Sequence, residues 1–301
     1  MILVGGEALV DLVVGDGDEV GAHLGGGPFN CARTLGRLEQ PVAYLGRISS
    51  DRFGARLREQ LEADGVSLAA VVATDDPTTL ALAELDAAGA ASYRFYDDGT
   101  SVPGLTVDAA LAALPDGIEM LHAGTLGLIF EPIATALEAV VERIGDSALV
   151  MVDLNCRPSA ITDPDGYRAR LDRLLPRCHV VKASDADLAY LDPGSSDIDA
   201  ARALLELGPP VVLLTRGARG ATVLTADGEV EVAAPRIEVA DTIGAGDAFG
   251  GGFLAWWRRE GLGAPDLERA DAVVEATRFA CLVAARTCER PGASPPRLAE
   301  L

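Results

Sequence analysis

The sequence predicts an α/β fold in three layers, in which a mostly parallel central sheet lies between helices and a small β-sheet projects from it. Strand-like apolar runs alternate with helical runs along most of the 301-residue chain, and this alternation is typical of a parallel sheet covered on both faces. One region, residues 71–98, breaks the rhythm with two strand-like runs and no helix between them. The chain suits a single domain with a large core, because 49% of its residues are hydrophobic.

The order of the elements follows from the period of the apolar residues. Apolar runs predict strands at residues 1–14, 42–48, 119–126, 148–155, 179–184 and 210–217. Helical spacing predicts helices at residues 30–38, 51–65, 131–145, 166–178, 198–208 and 247–261. All of these helices except the last lie between two strands, as crossovers in a parallel sheet do.

Residues 71–98 alternate apolar and polar side chains around a turn at Ala87–Ala90, which predicts a β-hairpin. With part of residues 10–24, this hairpin forms a small antiparallel sheet that projects from the main body. We therefore expect one domain over residues 1–301, with a lid formed by about 10–24 and 70–100 inserted in the α/β core. The alternative is that the hairpin is an edge of the main sheet.

The formal net charge of −21 argues against two classes of partner. A surface this acidic repels nucleic-acid phosphates and anionic lipid, so we expect neither a nucleic-acid nor a membrane role. The acidity is consistent with a salt-adapted protein and equally with a source of high GC content. Lys182 is the only lysine, so arginine supplies nearly all of the positive charge.

The N-terminal run MILVGGEALVDLVV predicts a first strand and not a signal peptide, because no basic region precedes it and Glu7 and Asp11 interrupt it. The sequence has no run of about 20 uninterrupted apolar residues, which a spanning helix would need. These features predict a cytoplasmic protein. The five cysteines are scattered and lack CxxC spacing, so neither a zinc site nor a disulfide framework is expected.

The stretch DTIGAGDAFGGGF, residues 241–253, carries the strongest chemical signal. A Gly-x-Gly turn that opens a helix lets the backbone approach a ligand, and it directs free N–H groups and the helix dipole at that ligand. Such a turn binds a phosphate, or the charge that develops on a phosphoryl group in transit. Asp247 lies in the first helical turn, where its carboxylate can accept a proton from an attacking hydroxyl. The structural alternative is ordinary charge complementarity between Asp247 and the helix N-terminus.

Other signatures of phosphoryl transfer are missing from the sequence. A Walker P-loop needs Gly-Lys-Ser/Thr, whereas the single lysine lies in VKAS, and the His-Arg-Asp loop of protein kinases is absent as well. A second glycine cluster, GAHLGGGPFNCARTLGRL at residues 21–38, precedes a helix. There Asn30 offers a donor and an acceptor that suit a sugar hydroxyl, or it caps the helix. The carboxylate of Asp11, which lies near the predicted end of a strand, can accept hydrogen bonds from two hydroxyl groups.

The two glycine motifs together resemble those of the PfkB, or ribokinase-like, sugar kinases. One signature is a Gly-Gly stretch, an Asn and a helix, followed by Gly-x-x-x-x-Asp-x-x-Gly, here with Gly46, Asp51 and Gly54 in place. The other is Asp-Thr-x-Gly-Ala-Gly-Asp-x-Phe, here residues 241–249. VDLNCRP, VKASDADL and LTRGARG lie between them in the order that such kinases show. The resemblance covers essentially the whole chain and implies a ribokinase-like fold and an ATP-dependent sugar kinase.

The resemblance implies a role for each matching residue. Asp247 is the general base, and the backbone N–H groups of Gly244, Ala245 and Gly246 form an anion hole. The implied sugar-binding residues are Asp11, Gly26, Gly27, Asn30, Tyr96 and Arg157. The implied nucleotide-binding residues are Lys182, Thr215, Gly217 and Gly220. The small sheet is implied to be a lid that closes over the sugar and supplies the contact of a homodimer.

The resemblance also implies two kinds of cation. Mg²⁺ bridges the nucleotide phosphates, with Asp187 acting through water. The backbone near Asp241 and Ile243, with ERPGASPP at residues 289–296, resembles the family's monovalent-cation loop, which K⁺ would order. The chain departs from the family at one motif: many relatives have Asn-x-x-Glu where residues 184–187 read SDAD, so Asp187 shortens the acidic arm by one methylene.

A neutral sugar, with fructose preferred, is the predicted acceptor, and fructose 6-phosphate is the predicted product. Relatives that phosphorylate 2-keto-3-deoxygluconate resemble Tyr-Tyr-Arg-x-Gly-Ser on the lid strand, where the arginine suits the sugar carboxylate. This chain reads FYDDGTS, which puts Asp97 in place of that arginine, although Arg94 or Arg157 can compensate. HAGTLGLIFEP and TCERPGASPP resemble the fructokinase branch. The lid aromatics either contact the sugar ring or only pack the lid: Tyr93, Phe95 and Tyr96.

Several alternatives stay open at this point. The acceptor can be 2-keto-3-deoxygluconate, ribose or a nucleoside, which are other substrates of the family. The fold can carry a catalytically silent binding protein, although such a protein has no need of Asp247. A dinucleotide-dependent oxidoreductase also fits the α/β alternation, but Gly-x-Gly-x-x-Gly does not follow the first strand. For Asp153 we favour strand-end packing and a surface ion pair, whereas Arg157 can meet the substrate.

Overall fold

The computed structural model describes residues 1–14, 20–85, 91–145 and 147–301. The described strands are β1 Ile2–Gly5, β2 Leu9–Val14, β3 Val20–Gly25, β4 Val42–Ser49, β5 Val71–Thr74, β6 Leu80–Leu85, β7 Ala91–Tyr96, β8 Met120–Gly124, β9 Leu149–Asp153, β10 Val180–Ser184, β11 Val211–Thr215, β12 Ala221–Thr225 and β13 Gly228–Val232. The described helices are α1 Gly27–Arg37, α2 Arg52–Ala63, α3 Val107–Ala112, α4 Ile133–Ile144, α5 Pro164–Leu174, α6 Asp185–Leu191, α7 Asp197–Glu206, α8 Ala245–Arg259 and α9 Ala270–Cys288.

The main sheet has the strand order β13-β12-β11-β10-β9-β8-β1-β4-β5. Neighbouring strands from β11 to β5 pair in parallel, and β12 and β13 add an antiparallel edge. Because parallel neighbours need crossover connections, helices follow most of these strands and cover the sheet. This arrangement confirms the predicted mostly parallel sheet.

The strands between the two edges of the main sheet are buried on both faces, so their side chains alternate between two cores. In β1, for example, Ile2 and Val4 belong to one core and Leu3 belongs to the other. Helices α1, α2, α8 and α9 cover the first core, and α4, α5, α6 and α7 cover the second. Burial on both faces explains why these strands read as nearly continuous apolar runs.

A separate sheet has the strand order β3-β2-β6-β7. The pairs β2–β3 and β6–β7 are antiparallel, whereas β2 and β6 pair in parallel. The predicted smaller sheet is therefore present, but it is mixed and not purely antiparallel. The turn predicted at Ala87–Ala90 lies outside the described residues.

Two predicted strands are divided differently in the structure. The N-terminal run forms β1 and β2, which belong to different sheets, and Gly6 with a φ of 150° lies where the chain leaves the main sheet. The residues around 71, expected in the lid, form β5, which pairs with β4 at the edge of the main sheet. An apolar pattern does not distinguish these cases, because it records burial and not the pairing partner.

No helix in the described parts of the chain is long and apolar enough to cross a membrane. The carboxyl ends of β1, β8 and β9 lie near the N-termini of α1 and α8, and all of them contribute residues to one cavity.

Candidate active site

Both glycine motifs meet at the carboxyl edge of the main sheet, around a cavity of about 360 Å³. Ligands of open α/β sheets bind at this edge, beyond the carboxyl ends of the strands. The predicted site residues that line this cavity are Asp11, Gly26, Gly27, Asn30, Arg157, Ile243, Gly244, Gly246 and Asp247.

A larger cavity of about 880 Å³ lies at the opposite edge of the sheet, near the first residues of β8 and β9. Its lining includes Glu119, His179 and Arg258, and none of the motif residues. The chemistry of the lining residues, and not the volume, therefore identifies the smaller cavity as the candidate active site.

Helix α8 begins at Ala245, and Gly244 precedes it in the left-handed region at a φ of 76°. Glycine adopts this conformation without strain, and a Cβ at this position would lie 2.6 Å from Cβ of Ala293. The first N–H groups of a helix have no partner within the helix and carry the positive end of its dipole. Gly244 and Gly246 line the cavity, whereas the N–H of Ala245 donates to the Thr242 carbonyl at 3.3 Å. The structure thus brings two of the three predicted anion-hole residues to the cavity, and not Ala245.

Asp247 lies in the first turn of α8 with 9% of its surface exposed. Its Oδ2 accepts a hydrogen bond from Nδ2 of Asn30 at 2.9 Å. Burial raises the pKa of Asp247 to about 6, while the Asn30 hydrogen bond opposes the rise. A carboxyl group with this pKa is mostly ionised at neutral pH and can accept a proton from a substrate. The side chain lines the cavity. Charge complementarity with the helix N-terminus alone would not require this orientation.

Asn30 does not cap α1, because Gly26 is the residue before its first turn and Asn30 lies inside the helix. The side chain instead donates to Asp247. Its Oδ1 is buried and has no hydrogen-bond partner among the described residues. A buried amide oxygen without a partner costs free energy unless a ligand or water satisfies it. Oδ1 of Asn30 is therefore available to accept a hydrogen bond from a ligand or a water molecule beside the Asp247 carboxylate.

Glu7 lines the candidate site but belongs to neither glycine motif. It follows β1, is fully buried, and lines the cavity. Oε1 accepts from the Gly27 N–H at 3.0 Å, and Oε2 accepts from the Gly127 N–H at 3.1 Å. Burial raises the pKa of Glu7 to about 8, although these two backbone hydrogen bonds lower it. The signal for it in the sequence is an acid inside an otherwise apolar run, which argues against a signal peptide and does not by itself indicate a site.

The separate sheet contributes one wall of the cavity through β2 and β7. Burial raises the pKa of Asp11 on β2 to about 6, and the nearby His23 and Arg157 lower it. Tyr93 and Phe95 on β7 line the cavity and stack with their ring centroids 6.4 Å apart.

Tyr96 was predicted to contact the sugar, but the structure does not bring it to this cavity. Successive side chains of a strand point to opposite faces, so Tyr96 lies on the face of β7 opposite Phe95. Tyr96 does not line the cavity, and 51% of its surface is exposed.

Arg157 is the arginine of the cavity. Its Nη1 donates to Oδ1 of Asn155 at 2.6 Å and to the carbonyls of Asn155 and Cys156 at 3.1 Å. The loop after β9 thus holds one end of the guanidinium. These hydrogen bonds fix the position of Arg157 at the cavity wall.

Lys182 was predicted to bind the nucleotide, and the structure places its side chain in the core, paired with Asp153. Its ammonium donates to both carboxylate oxygens of Asp153, at 2.9 and 2.7 Å. Both side chains are buried, with 4% and 2% of their surfaces exposed. The pair also corrects the interpretation of Asp153, which takes part in a buried ion pair and not a surface one.

The predicted nucleotide loop follows β11. Thr215 ends the strand, and Gly217, with a φ of 55°, begins a short 3-10 turn. A Cβ at Gly217 would have no neighbour within 4 Å, so its backbone is open to a ligand. Gly220 differs, because a Cβ there would lie 2.0 Å from the Val232 carbonyl oxygen. Gly220 therefore permits the packing of β13 against this turn and does not line an open surface.

Asp187 was predicted to influence Mg²⁺ through water, but its carboxylate is committed to the protein. Oδ1 accepts from the Cys156 N–H at 2.6 Å, and Oδ2 accepts from the N–H and Oγ of Ser184 at 2.7 Å. The side chain is 3% exposed and closes a capping box on α6. Among the described residues, no group of three acidic, His or Cys side chains is arranged to hold a metal ion.

Asp241 ties together the two segments of the predicted cation loop. Its Oδ1 accepts from the Ile243 N–H at 3.0 Å, and its Oδ2 accepts from the Gly292 N–H at 2.8 Å. The N–H groups of Ala240 and Asp241 donate to the Cys288 carbonyl. The segment before α8 is therefore fastened to the C-terminal tail beside the cavity.

Asp97 does not face the cavity that holds Asp247. With Arg94 it lines a neighbouring cavity of about 450 Å³, which Tyr93 and Phe95 separate from the first. The inference from Asp97 against an acidic sugar therefore loses its basis. The ionisable groups that do line the Asp247 cavity are the three carboxyl groups of Glu7, Asp11 and Asp247 and the single guanidinium of Arg157, and the raised pKa of Glu7 leaves that group mostly neutral at pH 7.

Comparison with known proteins agrees with this geometry. The sequence matches the pfkB family carbohydrate kinase over residues 5–300. A fructokinase of Rhizobium leguminosarum bv. trifolii is 39% identical over 267 residues, which cover 87% of this chain and 81% of that protein. The structure of Xylella fastidiosa fructokinase with bound ATP has a TM-score of 0.89 and 29% identity, and the match covers 99% of this chain and 96% of that one. Vibrio cholerae O395 fructokinase with fructose, ADP and calcium ion has a TM-score of 0.85 and 25% identity, over 97% and 94% of the two chains.

The chain belongs to the PfkB family of carbohydrate kinases. The ribokinase-like fold predicted from the motifs is confirmed, and so is the enzyme class, a phosphotransferase that acts on a sugar hydroxyl.

Proposed function

We propose that the protein transfers the γ-phosphoryl group of ATP to the primary hydroxyl of fructose and so forms fructose 6-phosphate. The observation that carries the proposal is the Asp247 carboxylate, buried at the cavity wall in the first turn of α8 and hydrogen-bonded to Asn30. The relatives support the substrates, since one similar structure contains ATP and another contains fructose with ADP.

The chain's own residues suit each part of this transfer. Asp247 accepts the proton of the sugar hydroxyl as the hydroxyl oxygen attacks the γ-phosphorus and the bond to ADP breaks. The N–H end of α8 at Gly244 and Gly246 stabilises the negative charge on the moving phosphoryl group. Asn30 and Asp11 bind sugar hydroxyls and orient the ring, which places the reacting oxygen beside the carboxylate.

The charges of the cavity favour a neutral acceptor. The carboxylates of Asp11 and Asp247 line the cavity together with a single guanidinium, Arg157, and one end of that guanidinium is already bonded to the protein. An acid such as 2-keto-3-deoxygluconate would place a further carboxylate beside these groups. The volume of about 360 Å³ lies near the lower end of ligand-binding pockets, which suits a monosaccharide.

The nucleotide is proposed to lie along the open backbone at Gly217, next to Thr215. Mg²⁺, when bound, would neutralise part of the phosphate charge during the transfer. Since Asp187 is committed to the protein, the metal would be held by the phosphates and water. We also propose that K⁺ binds at the loop of Asp241 and Ile243, which is already fastened to Gly292, and that it orders the segment before α8.

We propose a cytoplasmic enzyme, since ATP is available in the cytoplasm. We also propose that the separate sheet closes over the sugar and that the outer edge of this sheet forms the contact of a homodimer. The edge strand β3 and its neighbour β2 expose Val20 and Val14, by 55% and 38%. Val20→Asp should convert a dimer to a monomer in analytical ultracentrifugation, because it puts a charge in an apolar contact. Val230→Asp is the matched control, since Val230 is 44% exposed on β13 of the other sheet. An unchanged sedimentation coefficient for Val20→Asp would contradict the proposed contact.

A coupled assay of ADP release with fructose, ribose, 2-keto-3-deoxygluconate and adenosine tests the function. We expect the highest kcat/KM with fructose, dependence on Mg²⁺, and a product whose ³¹P signal couples to the two protons on C6. Higher kcat/KM with the acidic sugar would overturn the argument from cavity charge. Absence of turnover with all four acceptors would overturn the proposed function.

A further inference from the structure

Asp153 and Lys182 form a buried ion pair directly behind the first turn of α8. The residues are register partners on the neighbouring parallel strands β9 and β10, and both carboxylate oxygens contact the ammonium. Lys182 is the only lysine of the chain, and it is 3% exposed. A buried ion pair is weak evidence for stability, because removing two charges from water costs about as much as their attraction returns. Its position therefore needs another explanation.

The position of the pair relative to α8 suggests what it does. A Cβ at Gly246 would lie 3.2 Å from Nζ of Lys182 and 3.7 Å from its Cε. The ammonium thus lies against the Cβ side of Gly246, a residue that also lines the cavity, and a glycine at this position leaves the ammonium room to approach. On the cavity side, Gly246 and Asp247 face the place where the phosphoryl group would move.

We propose that the Asp153–Lys182 pair is a positioning device for phosphoryl transfer, in which Lys182 supports the anion hole through Gly246 and keeps Asp247 ionised, while Asp153 holds and moderates that charge. The inference rests on the proposed function. It makes Lys182 a residue that acts through the helix and not a ligand of the nucleotide. Fixed charge behind oriented N–H groups needs no reorganisation during the reaction, which is how protein sites stabilise developing negative charge.

The charges around Lys182 support its protonated state. Burial lowers the pKa of Lys182, but the carboxylates of Asp153, Asp187 and Asp247 outweigh burial, so the net shift is upward. For Asp247, burial raises the pKa, Asp153 raises it further, and Lys182 and Arg157 lower it. The two members of the pair thus act on Asp247 with opposite signs. The titratable groups that face Asp247 from the surrounding elements are Glu7, Cys31, Asp153, Arg157 and Lys182.

The opposite signs give a test that a purely structural pair would fail. Asp153→Asn removes the negative charge and leaves the ammonium, so the acid limb of the kcat profile should move to lower pH by about one unit. Lys182→Met removes the positive charge, so the limb should move to higher pH by about one unit. The double variant Asp153→Asn/Lys182→Met carries neither charge and should return close to the wild-type limb.

The same variants are followed by ¹³C NMR titration of the Asp247 carboxyl, assigned by its loss in Asp247→Asn. The NMR titration does not need turnover, so it tests the inference separately from the proposed function. Absence of turnover in the wild type would contradict the proposed function and leave the NMR test of the pair in place. Asp64→Asn is the matched control, since it breaks the buried pair of Asp64 with Arg33 and should not move the titration. If Lys182→Met does not fold, two other results test the proposal: a lower pKa of Asp247 in Asp153→Asn, and its return toward the wild-type value in the double variant. Shifts of the same sign in both single variants, or no shift, would overturn the proposal.

Discussion

Two buried carboxyl groups, Asp247 and Glu7, both lie against Gly27. The Gly27 N–H donates to Glu7, and a Cβ on Gly27 would lie 3.2 Å from Oδ1 of Asp247. Glu7 bonds two backbone N–H groups, while Asp247 has a side-chain donor, Asn30, and faces the cavity. Burial raises both pKa values, to about 8 for Glu7 and about 6 for Asp247. At neutral pH the two acids therefore differ in protonation, which suits Asp247 as the base and Glu7 as a fixed support.

Asp247→Asn is expected to lower kcat by about 10² to 10⁴, because general-base assistance accounts for a factor of this size. Sugar affinity should change little, since the amide keeps the shape of the side chain and the other hydroxyl-binding groups remain. The coupled ADP assay and calorimetric titration with fructose measure the two effects. Asp271→Asn is the matched control, because Asp271 also lies in the first turn of a helix, α9, and is exposed. Near-normal turnover in Asp247→Asn would remove the residue from its proposed role.

Glu7 makes folding stability depend on pH in a predictable direction. Its pKa is about 8 in the folded protein against 4.5 for an ordinary glutamate, so the folded state binds the proton more tightly. The resulting stability is present below the unfolded pKa and is lost as pH rises through the folded pKa. Between about pH 5 and 8, the free energy of unfolding should fall more in the wild type than in Glu7→Gln, by an amount on the order of a few kcal/mol.

Urea unfolding at a series of pH values measures this difference. Glu62→Gln is the control, since Glu62 is an exposed glutamate on α2. The pKa values of Asp11 and Asp247 are raised as well, but both residues are present in the wild type and in Glu7→Gln, so most of their pH dependence cancels in the difference. Parallel pH dependences for the wild type and Glu7→Gln would contradict the raised pKa.

At the scale of elements, Asp51 connects the main body to the separate sheet. It caps α2 by accepting from the Gly54 N–H at 2.7 Å. It also accepts from the N–H of Thr78 at 2.8 Å and from its Oγ1 at 2.7 Å. Thr78 lies two residues before β6, the strand that leads into the sheet. One side chain therefore fixes both the start of a helix and the base of the proposed lid.

Asp51→Ala is expected to destabilise the protein by about 1–2 kcal/mol, which is the usual cost of a lost helix cap, and to raise KM for the sugar because the sheet is less well anchored. Urea unfolding and steady-state kinetics measure the two changes. Ser196→Ala removes the cap of α7, which bonds only its own helix through Asp199, and should lower stability without changing KM. Equal effects of the two variants on KM would rule out the anchoring role.

The whole molecule carries a net charge of −21, which repels itself in the compact state. Raising the salt concentration from about 0.05 M to about 1 M shortens the screening length from more than 10 Å to about 3 Å. The free energy of urea unfolding should therefore increase with salt. The screening part of this increase should be the same in NaCl and in KCl, whereas K⁺ bound at the proposed loop would add stability in KCl alone.

The same salts separate screening from the proposed K⁺ loop. Turnover at constant ionic strength should rise when KCl replaces NaCl, because only a bound K⁺ would order the segment before α8. Equal turnover in both salts would mean that the loop of Asp241 and Gly292 is structural. A decrease of stability with salt would contradict the repulsion argument.

The sequence by itself determined the fold class and the position of the Gly-Ala-Gly-Asp motif along the chain. Apolar periodicity and glycine placement are local properties, so they predicted the parallel sheet and a helix over residues 247–261, which begins at Ala245 in the structure and carries Asp247 in its first turn. Asn30 and Asp247, 217 residues apart, were each identified as candidates before any distance between them was known.

Only the tertiary structure decided which side chains share the cavity. It brought in Glu7, left out Tyr96, paired Lys182 with Asp153 and committed Asp187 to the capping box of α6. It also divided the first apolar run between two sheets. The reason is physical: a one-residue offset along a strand sends a side chain to the opposite face, and hydrogen bonds between groups far apart in the chain exist only after the elements have packed.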